Sequence, residues 1–200
     1  MTGVQTCALP IYPGNDLLRH FNRRRLDAEE IRDALLALGG ELDRGPGGAH
    51  PFPAESLWAY TQHNPFTAVY ETRHRSVYLM QQRIKRHPFL ATFDGADPNS
   101  STAGRAASTT PLQALFMMND PFAHERAAKF AARLLRECGD ETRRLDLACQ
   151  LAFGRPARPE EIRAGENHLK NFRAKLKPVG GAAEAQTQSA WESQIGRAHV

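Results

Sequence analysis

Residues 111–153, PLQALFMMNDPFAHERAAKFAARLLRECGDETRRLDLACQLAF, decide the fold. Within them, Phe122–Cys138 carries Ala123, Ala127, Phe130, Ala131, Leu134 and Leu135 at i, i+4, i+7, i+8, i+11 and i+12. That is one stripe of a 3.6-residue period, and it predicts an amphipathic helix closed by Gly139. On its N-terminal side, Thr110-Pro111 reads as an N-cap followed by proline at the first helical position. The helix from 111 to 119 is expected to bury Leu112, Leu115, Phe116 and Met118 and to end at Asn119-Asp120-Pro121. On the C-terminal side, residues 141–153 repeat the pattern with Leu145, Ala148, Cys149, Ala152 and Phe153, closed by Gly154. Pro159 opens another helix to residue 176, with Glu160 and Glu161 at its positive end and Ile162, Leu169, Phe172 and Leu176 facing inward. Connections this short predict antiparallel neighbours.

Further from this centre the signals weaken. Asp27-Ala28-Glu29-Glu30 starts a helix with capping-box chemistry, followed by Ile31, Leu35 and Leu38 and ended by Gly39-Gly40. Residues 43–55 are rich in Pro and Gly and read as loop. Residues 56–72 are ambiguous, because Pro65 interrupts an otherwise aromatic and apolar stretch. Residues 76–84, SVYLMQQRI, favour a short strand through Val77, Tyr78 and Ile84. His87-Pro88 breaks it, Phe89–Phe93 form a short apolar turn, and 94–108 is a polar loop. The expected fold is mainly α: an irregular antiparallel helical bundle with long loops, room for one short strand, and truncation at both ends.

The truncation is read from the termini. Thr6–Ile11 (TCALPI) can be encoded as ACG TGT GCT CTT CCG ATC, and Ile195–Val200 (IGRAHV) as ATC GGA AGA GCA CAC GTC. The second, reversed and complemented, reproduces the first apart from its end base. Residues 1–11 and 195–200 therefore resemble translated sequencing adapter and are set aside from fold reasoning. That leaves a single helical domain over 12–177, then a flexible linker and the start of a truncated last helix over 178–194.

Composition narrows the class. The chain has 200 residues, 41% hydrophobic and 24% charged, with no run near the ~18–20 apolar residues that span a bilayer. Without Arg197, 25 basic residues stand against 22 acidic ones, a mild surplus that makes nucleic acid an unlikely partner. Arg73, Arg75, Arg83, Lys85 and Arg86 around Tyr78 form the one basic aromatic cluster that would suit a polyanion. Walker, GxGxxG, GxSxG and HExxH signatures are absent, and the histidines show no metal-ligand spacing. Cys138 and Cys149 read as small core residues or as a disulfide pair, and spacing alone does not choose between them.

The most chemical stretch is Phe93-Asp94-Gly95-Ala96-Asp97-Pro98-Asn99. Asp94, Asp97 and Asn99 are hard oxygen donors beside a turn glycine, as Ca²⁺ prefers, yet the twelfth position from Asp94 is Arg105 where an EF-hand has Glu. No metal site is expected. The same donors serve turns and caps by accepting from nearby backbone N–H groups. Arg105, Gln113 and Asn119 flank or sit on the helix from 111, and buried amides must be hydrogen-bonded. Asp94, Asp97, Asn99, Arg105, Gln113 and Asn119 thus make one candidate set, for binding or for a polar clamp joining loop to helix. No catalytic residue is assigned.

The segment His74–Leu135, HRSVYLMQQRIKRHPFLATFDGADPNSSTAGRAASTTPLQALFMMNDPFAHERAAKFAARLL, closely resembles domain-of-unknown-function family 1553. Residues 22–44, NRRRLDAEEIRDALLALGGELDR, and 151–162, LAFGRPARPEEI, are similar to the same family's flanking signatures. One departure is Arg158, where the family usually places Thr or Ser before ProGluGlu. The resemblance implies the C-terminal domain of large planctomycete-type proteins, exported to the periplasm or beyond the cell. It also implies haem c on an upstream domain, with no cofactor on this stretch, and a last helix expected after Trp191. The expected role is a non-catalytic structural or interaction module whose partners are the upstream domains of the same chain. The alternative is a glycan-binding or hydrolase-like domain, with polysaccharide as partner, using the Asp94–Asn99 loop.

Overall fold

The computed structural model describes residues 24–50, 52–57, 66–105, 107–176 and 187–193. The helices are α1 (Ala28–Leu38), α2 (Pro88–Thr92), α3 (Pro111–Asn119), α4 (Pro121–Glu137), α5 (Glu141–Phe153) and α6 (Pro159–Leu176). A further helical stretch, α7, covers 187–193. The fold is mainly α, and the described residues contain no strand, only an isolated bridge between Asp43 and His74.

Local chemistry sets the helix ends where the sequence places them. In α1 the Glu30 carboxylate accepts from the Asp27 N–H at 2.9 Å. At the other end Gly40 takes φ +74, its N–H reaches the Ala37 carbonyl at 3.0 Å, and Glu41 N–H reaches Leu36 at 2.9 Å. This paired closure satisfies two carbonyls that the helix leaves open. Asp120 caps α4 through the Phe122 N–H at 2.9 Å, and Asp140 caps α5 through Arg143 N–H at 2.9 Å. The Arg158 departure before α6 removes the hydroxyl half of a capping box. The return half persists, because Glu161 accepts from the Arg158 N–H at 2.8 Å. Hydrogen bonds from Arg155, and then from that N–H, hold the Glu161 carboxyl down to about 2.

Two apolar clusters follow. The first joins Phe130, Ala131 and Leu134 of α4, Leu145 of α5, Leu169 of α6, and Ala190 and Trp191 of α7. The α4 stripe therefore faces inward as its period requires. Gly165 lets α5 and α6 close, since a Cβ there would sit 2.6 Å from Leu145 Cδ2. Trp191 is 0% exposed, so the residue after which the last helix is expected is itself inside a helical stretch and inside the core. Most of the linker expected after Pro178 lies outside the described residues.

The second cluster is aromatic. Phe89 meets Phe93 at 4.7 Å between centroids, Phe116 at 5.5 Å and Phe122 at 5.6 Å, against Ala28, Leu35, Leu79 and Leu90. The edge-to-face geometry of the latter two pairs is the arrangement that aromatic quadrupoles favour. Where the sequence suggests only a short apolar turn at 89–93, the structure has a helix that fills this cluster.

Three sequence expectations need correction. Phe153, expected on the apolar stripe of the helix from 141, is 54% exposed, with the Arg155 guanidinium 5.5 Å from its ring centroid. Residues 76–84 do not form a strand. Ser76–Tyr78 is a single 3-10 turn, and Val77, Tyr78 and Ile84 are exposed. The Ser76 N–H and hydroxyl both donate to Asp33 Oδ1 at 2.7 Å, which bends the chain onto α1. With no strand among the described residues to pair with, β-propensity has nothing to act on. In α3 three of the four residues of the predicted apolar face turn outward: Leu112 is 64% exposed, Leu115 54% and Met118 52%. The buried side carries Gln113, with Phe116 and Met117 packed on the aromatic cluster.

Candidate functional site

The loop after α2 begins with a forced turn. The Gly95 N–H reaches back to the Leu90 carbonyl at 2.7 Å, and a Cβ at Gly95 would lie 2.7 Å from that same oxygen. No other residue fits there. Asp94, immediately before, adopts φ +63, a left-handed conformation that Asp tolerates better than most residues.

That conformation aims the Asp94 carboxylate at α3. It accepts from the Ser108 N–H at 2.8 Å and hydroxyl at 2.7 Å, from Gln113 Nε2 at 3.2 Å and from Arg25 Nη1 at 3.2 Å. The Ser108 hydroxyl and then its N–H, with smaller help from Gln113 and Arg25, hold the Asp94 carboxyl below the usual range. Gln113 completes the knot. Its Nε2 donates to the Thr92 carbonyl at 2.9 Å, and its Oε1 accepts from Arg25 Nη2 at 3.0 Å and the Thr110 N–H at 3.3 Å. One amide therefore links the end of α2, the loop and the start of α3. This is the polar clamp, built on Asp94 and Gln113 of the candidate set, with Arg25 and Ser108 added.

The other four candidates go elsewhere. Asp97 and Asn99 form an exposed turn of their own, with the Asn99 N–H on Asp97 Oδ1 at 2.9 Å and Asn99 Nδ2 on the Arg83 carbonyl at 3.0 Å. Arg105 forks onto Glu29 in the first turn of α1, with Nη2 to Oε1 at 3.0 Å. Burial works against the Glu29 charge, yet the Arg105 hydrogen bond and its companions hold that carboxyl below its ordinary value. Asn119 Nδ2 donates to Leu115 of its own helix at 2.9 Å and is exposed. Among the described residues no three His, Cys, Asp or Glu side chains gather as a metal ion requires. With protein donors on both Asp94 oxygens, a cation would have to displace part of the clamp.

Of the basic cluster, Arg73 lies 3.6 Å from Glu41, while Lys85 and Arg86 donate to the carbonyls of Phe66 and Gly95. His124, on α4, holds its ring Nε2 2.9 Å from the Met118 carbonyl. Cys138 and Cys149 are free thiols, and burial pushes the Cys149 thiol up.

A different constellation escaped the sequence reading. A cleft of about 680 Å³ opens between α1, the 69–73 segment, the start of α2 and the α3–α4 corner. None of the six candidates lines it. Arg32 does, at 4% exposure. Its guanidinium donates to the Thr72 carbonyl at 2.6 Å, the His74 carbonyl at 3.3 Å and Ser76 Oγ at 3.1 Å, all neutral acceptors. Among the described residues no carboxylate forms an ion pair with it. Arg32 and Arg126 both approach the Phe122 ring, at 5.9 and 5.2 Å from its centroid. His87, 8% exposed, has a buried Nδ1 with no partner, and Arg126 has a buried Nε likewise. Burial first, and then the nearby Arg32 charge, lower the His87 imidazole to about 4, so it is neutral at physiological pH. The sequence did hold one signal. Ala28, Arg32 and Leu35 fall at i, i+4 and i+7, which puts a cation on the buried stripe of α1.

No curated protein and no solved structure matches the chain. A family profile described as PSD1, protein of unknown function (DUF1553), matches residues 4–169. That match spans the clamp, the cleft and helices α1 to α5, and the chain belongs to the DUF1553 family.

Proposed function

We propose that this domain is a non-catalytic structural and interaction module. It would pack against the preceding domains of an exported, haem c-containing polypeptide of the planctomycete type. The observation that carries the reading is the state of the chemical residues. Asp94, Gln113 and Arg105 are taken up by protein groups, while Asp97 and Asn99 are held in their own turn. A general acid or base needs an oxygen free to reach a substrate proton, and Asp94 offers none without dismantling the clamp. The family resemblance supports the export and the multidomain setting.

The haem belongs on another domain under this proposal. Covalent attachment needs two thiols followed by histidine in one short motif. Here Cys138 follows the last residue of α4, Cys149 lies within α5, and neither precedes a histidine. Among the described residues no helix is long and apolar enough to cross a membrane.

The test is association. The domains encoded upstream in the full-length gene would be expressed separately and titrated with this chain by calorimetry. A saturable 1:1 complex is the expected result. Absence of a complex, together with polysaccharide turnover that Asp94→Asn abolishes, would overturn the proposal in favour of the hydrolase-like alternative.

A further inference from the structure

The cleft beside Arg32 invites a reading beyond that of a packing module. Buried cations in proteins are ordinarily matched by an opposite charge, because neutral acceptors compensate desolvation incompletely. Arg32 has only neutral acceptors, which use three of its five N–H groups. The two other arginines of the cleft are matched directly. Arg126 lies 2.7 Å from Glu41 and 2.9 Å from Glu125, and Arg73 lies 3.6 Å from Glu41.

Two further polar atoms, on residues that line the cleft but themselves enclosed, lack partners: Nδ1 of His87 and Nε of Arg126. Both can donate: Arg126 always, and His87 in the tautomer protonated at Nδ1. Phe89, Phe116 and Phe122 supply an apolar wall. A volume of about 680 Å³ is in the range of small-molecule sites.

Charge selects the ligand class. Glu71, Asp120 and Glu125 also line the cleft. Glu71 and Asp33 also act on Arg32 through space and partly offset its charge. A dianion such as a phosphate monoester would therefore be repelled by these carboxylates about twice as strongly as a monoanion, for which the neutral acceptors leave two Arg32 N–H groups over. We propose that the cleft binds a small monocarboxylate with an apolar or aromatic body. Its carboxylate is received by Arg32, and its body lies against the phenylalanine wall.

The 200-residue chain would be titrated with benzoate and with hexanoate, read by saturation-transfer NMR and calorimetry. Benzamide and phenyl phosphate are the neutral and dianionic controls. Saturable binding is expected for at least one of the acids, with both controls weaker by about tenfold or more. Arg32→Gln should lose that preference for the acid over the amide. Because Arg32 also ties down the 72–76 segment, Val69→Trp provides a second variant. It narrows the cleft from an exposed position and should weaken acid binding by about tenfold or more without altering the melting temperature. The proposal is overturned if neither acid saturates the folded wild-type chain by about 10 mM. It is also overturned if acid and amide bind alike, or if the folded Val69→Trp chain binds the acid as well as wild type. None of these failures bears on the association test of the module reading.

Discussion

Gln113 shows how one side chain can organise a loop. Removing its amide takes that partner from the Thr92 carbonyl, the Thr110 N–H and one Arg25 N–H, and takes one of four donors from Asp94. Gln113→Ala is expected to destabilise the fold by about 1–3 kcal/mol in chemical denaturation, the usual range for stranding buried polar groups. Gln113→Glu should not rescue it, because a second carboxylate would face Asp94. Acid sensitivity follows from the same knot. The Asp94 carboxyl is held below its unfolded value, so its contribution is complete above about pH 4 and is lost as pH falls through the lower folded value. His87 acts over a higher window. Its imidazole is lowered to about 4 in the fold, so the unfolded chain takes up the proton first as pH drops below about 6.5. Stability should therefore fall by about 2–3 kcal/mol between pH 6.5 and 4, since each tenfold difference in proton affinity between folded and unfolded chain is worth ~1.4 kcal/mol. Replacing His87 by Gln, which does not titrate, should flatten that limb of a pH-dependent melting curve. An unchanged slope in the variant would refute the assignment.

At the scale of the element, the same α3 that carries Gln113 explains an error of periodicity. Leu112, Leu115 and Met118 are spaced as an apolar face, and hydrophobic content alone cannot tell which side of a helix meets the core. The capping box at Thr110 and the bonds of Gln113 to the preceding loop fix the rotation, which puts the leucines in solvent. Leu115→Glu should accordingly change stability by no more than about 0.5 kcal/mol, as exposed positions do. Leu134→Ala in α4 should cost about 2–5 kcal/mol, since its methyls are fully enclosed. The contrast can be read in one denaturant series. The α4 stripe was legible because seventeen residues of steady period leave little freedom of rotation. The 76–84 segment was not, because its shape depends on Asp33, which lies far away in sequence. Gly165→Ala is expected to destabilise by about 1–3 kcal/mol through overpacking against Leu145. Leu145→Ala should relieve that clash, so the pair should be less damaging than the sum of its members in a double-mutant cycle.

Across the whole molecule, α4 joins both apolar clusters: Phe122 packs on the aromatic group, while Phe130 and Leu134 lie in the other. Cores connected through one continuous helix should melt together. Phe89→Ala and Leu134→Ala are each expected to shift a single calorimetric transition, and two resolved transitions would count against a shared unit. Helical class, helix ends and the principal core helix could be read from local spacing and capping chemistry. The clamp was half legible, because Asp94 and Gln113 are polar residues in an apolar context, whereas Arg25 and Ser108 give no such signal. The cleft was hidden for a deeper reason. Arg32, His87 and Arg126 are far apart in the chain, and only packing brings them together.

Trp191 adds an optical handle to this architecture. Its indole is sealed between α4, α5 and α6, so a collisional quencher such as acrylamide should reach it only when α7 lifts away or the whole chain opens. In a Trp58→Phe background its emission becomes a single-site gauge of that docking. Quenching that rises before the far-ultraviolet helical signal falls would time the release of this last turn as a separate event.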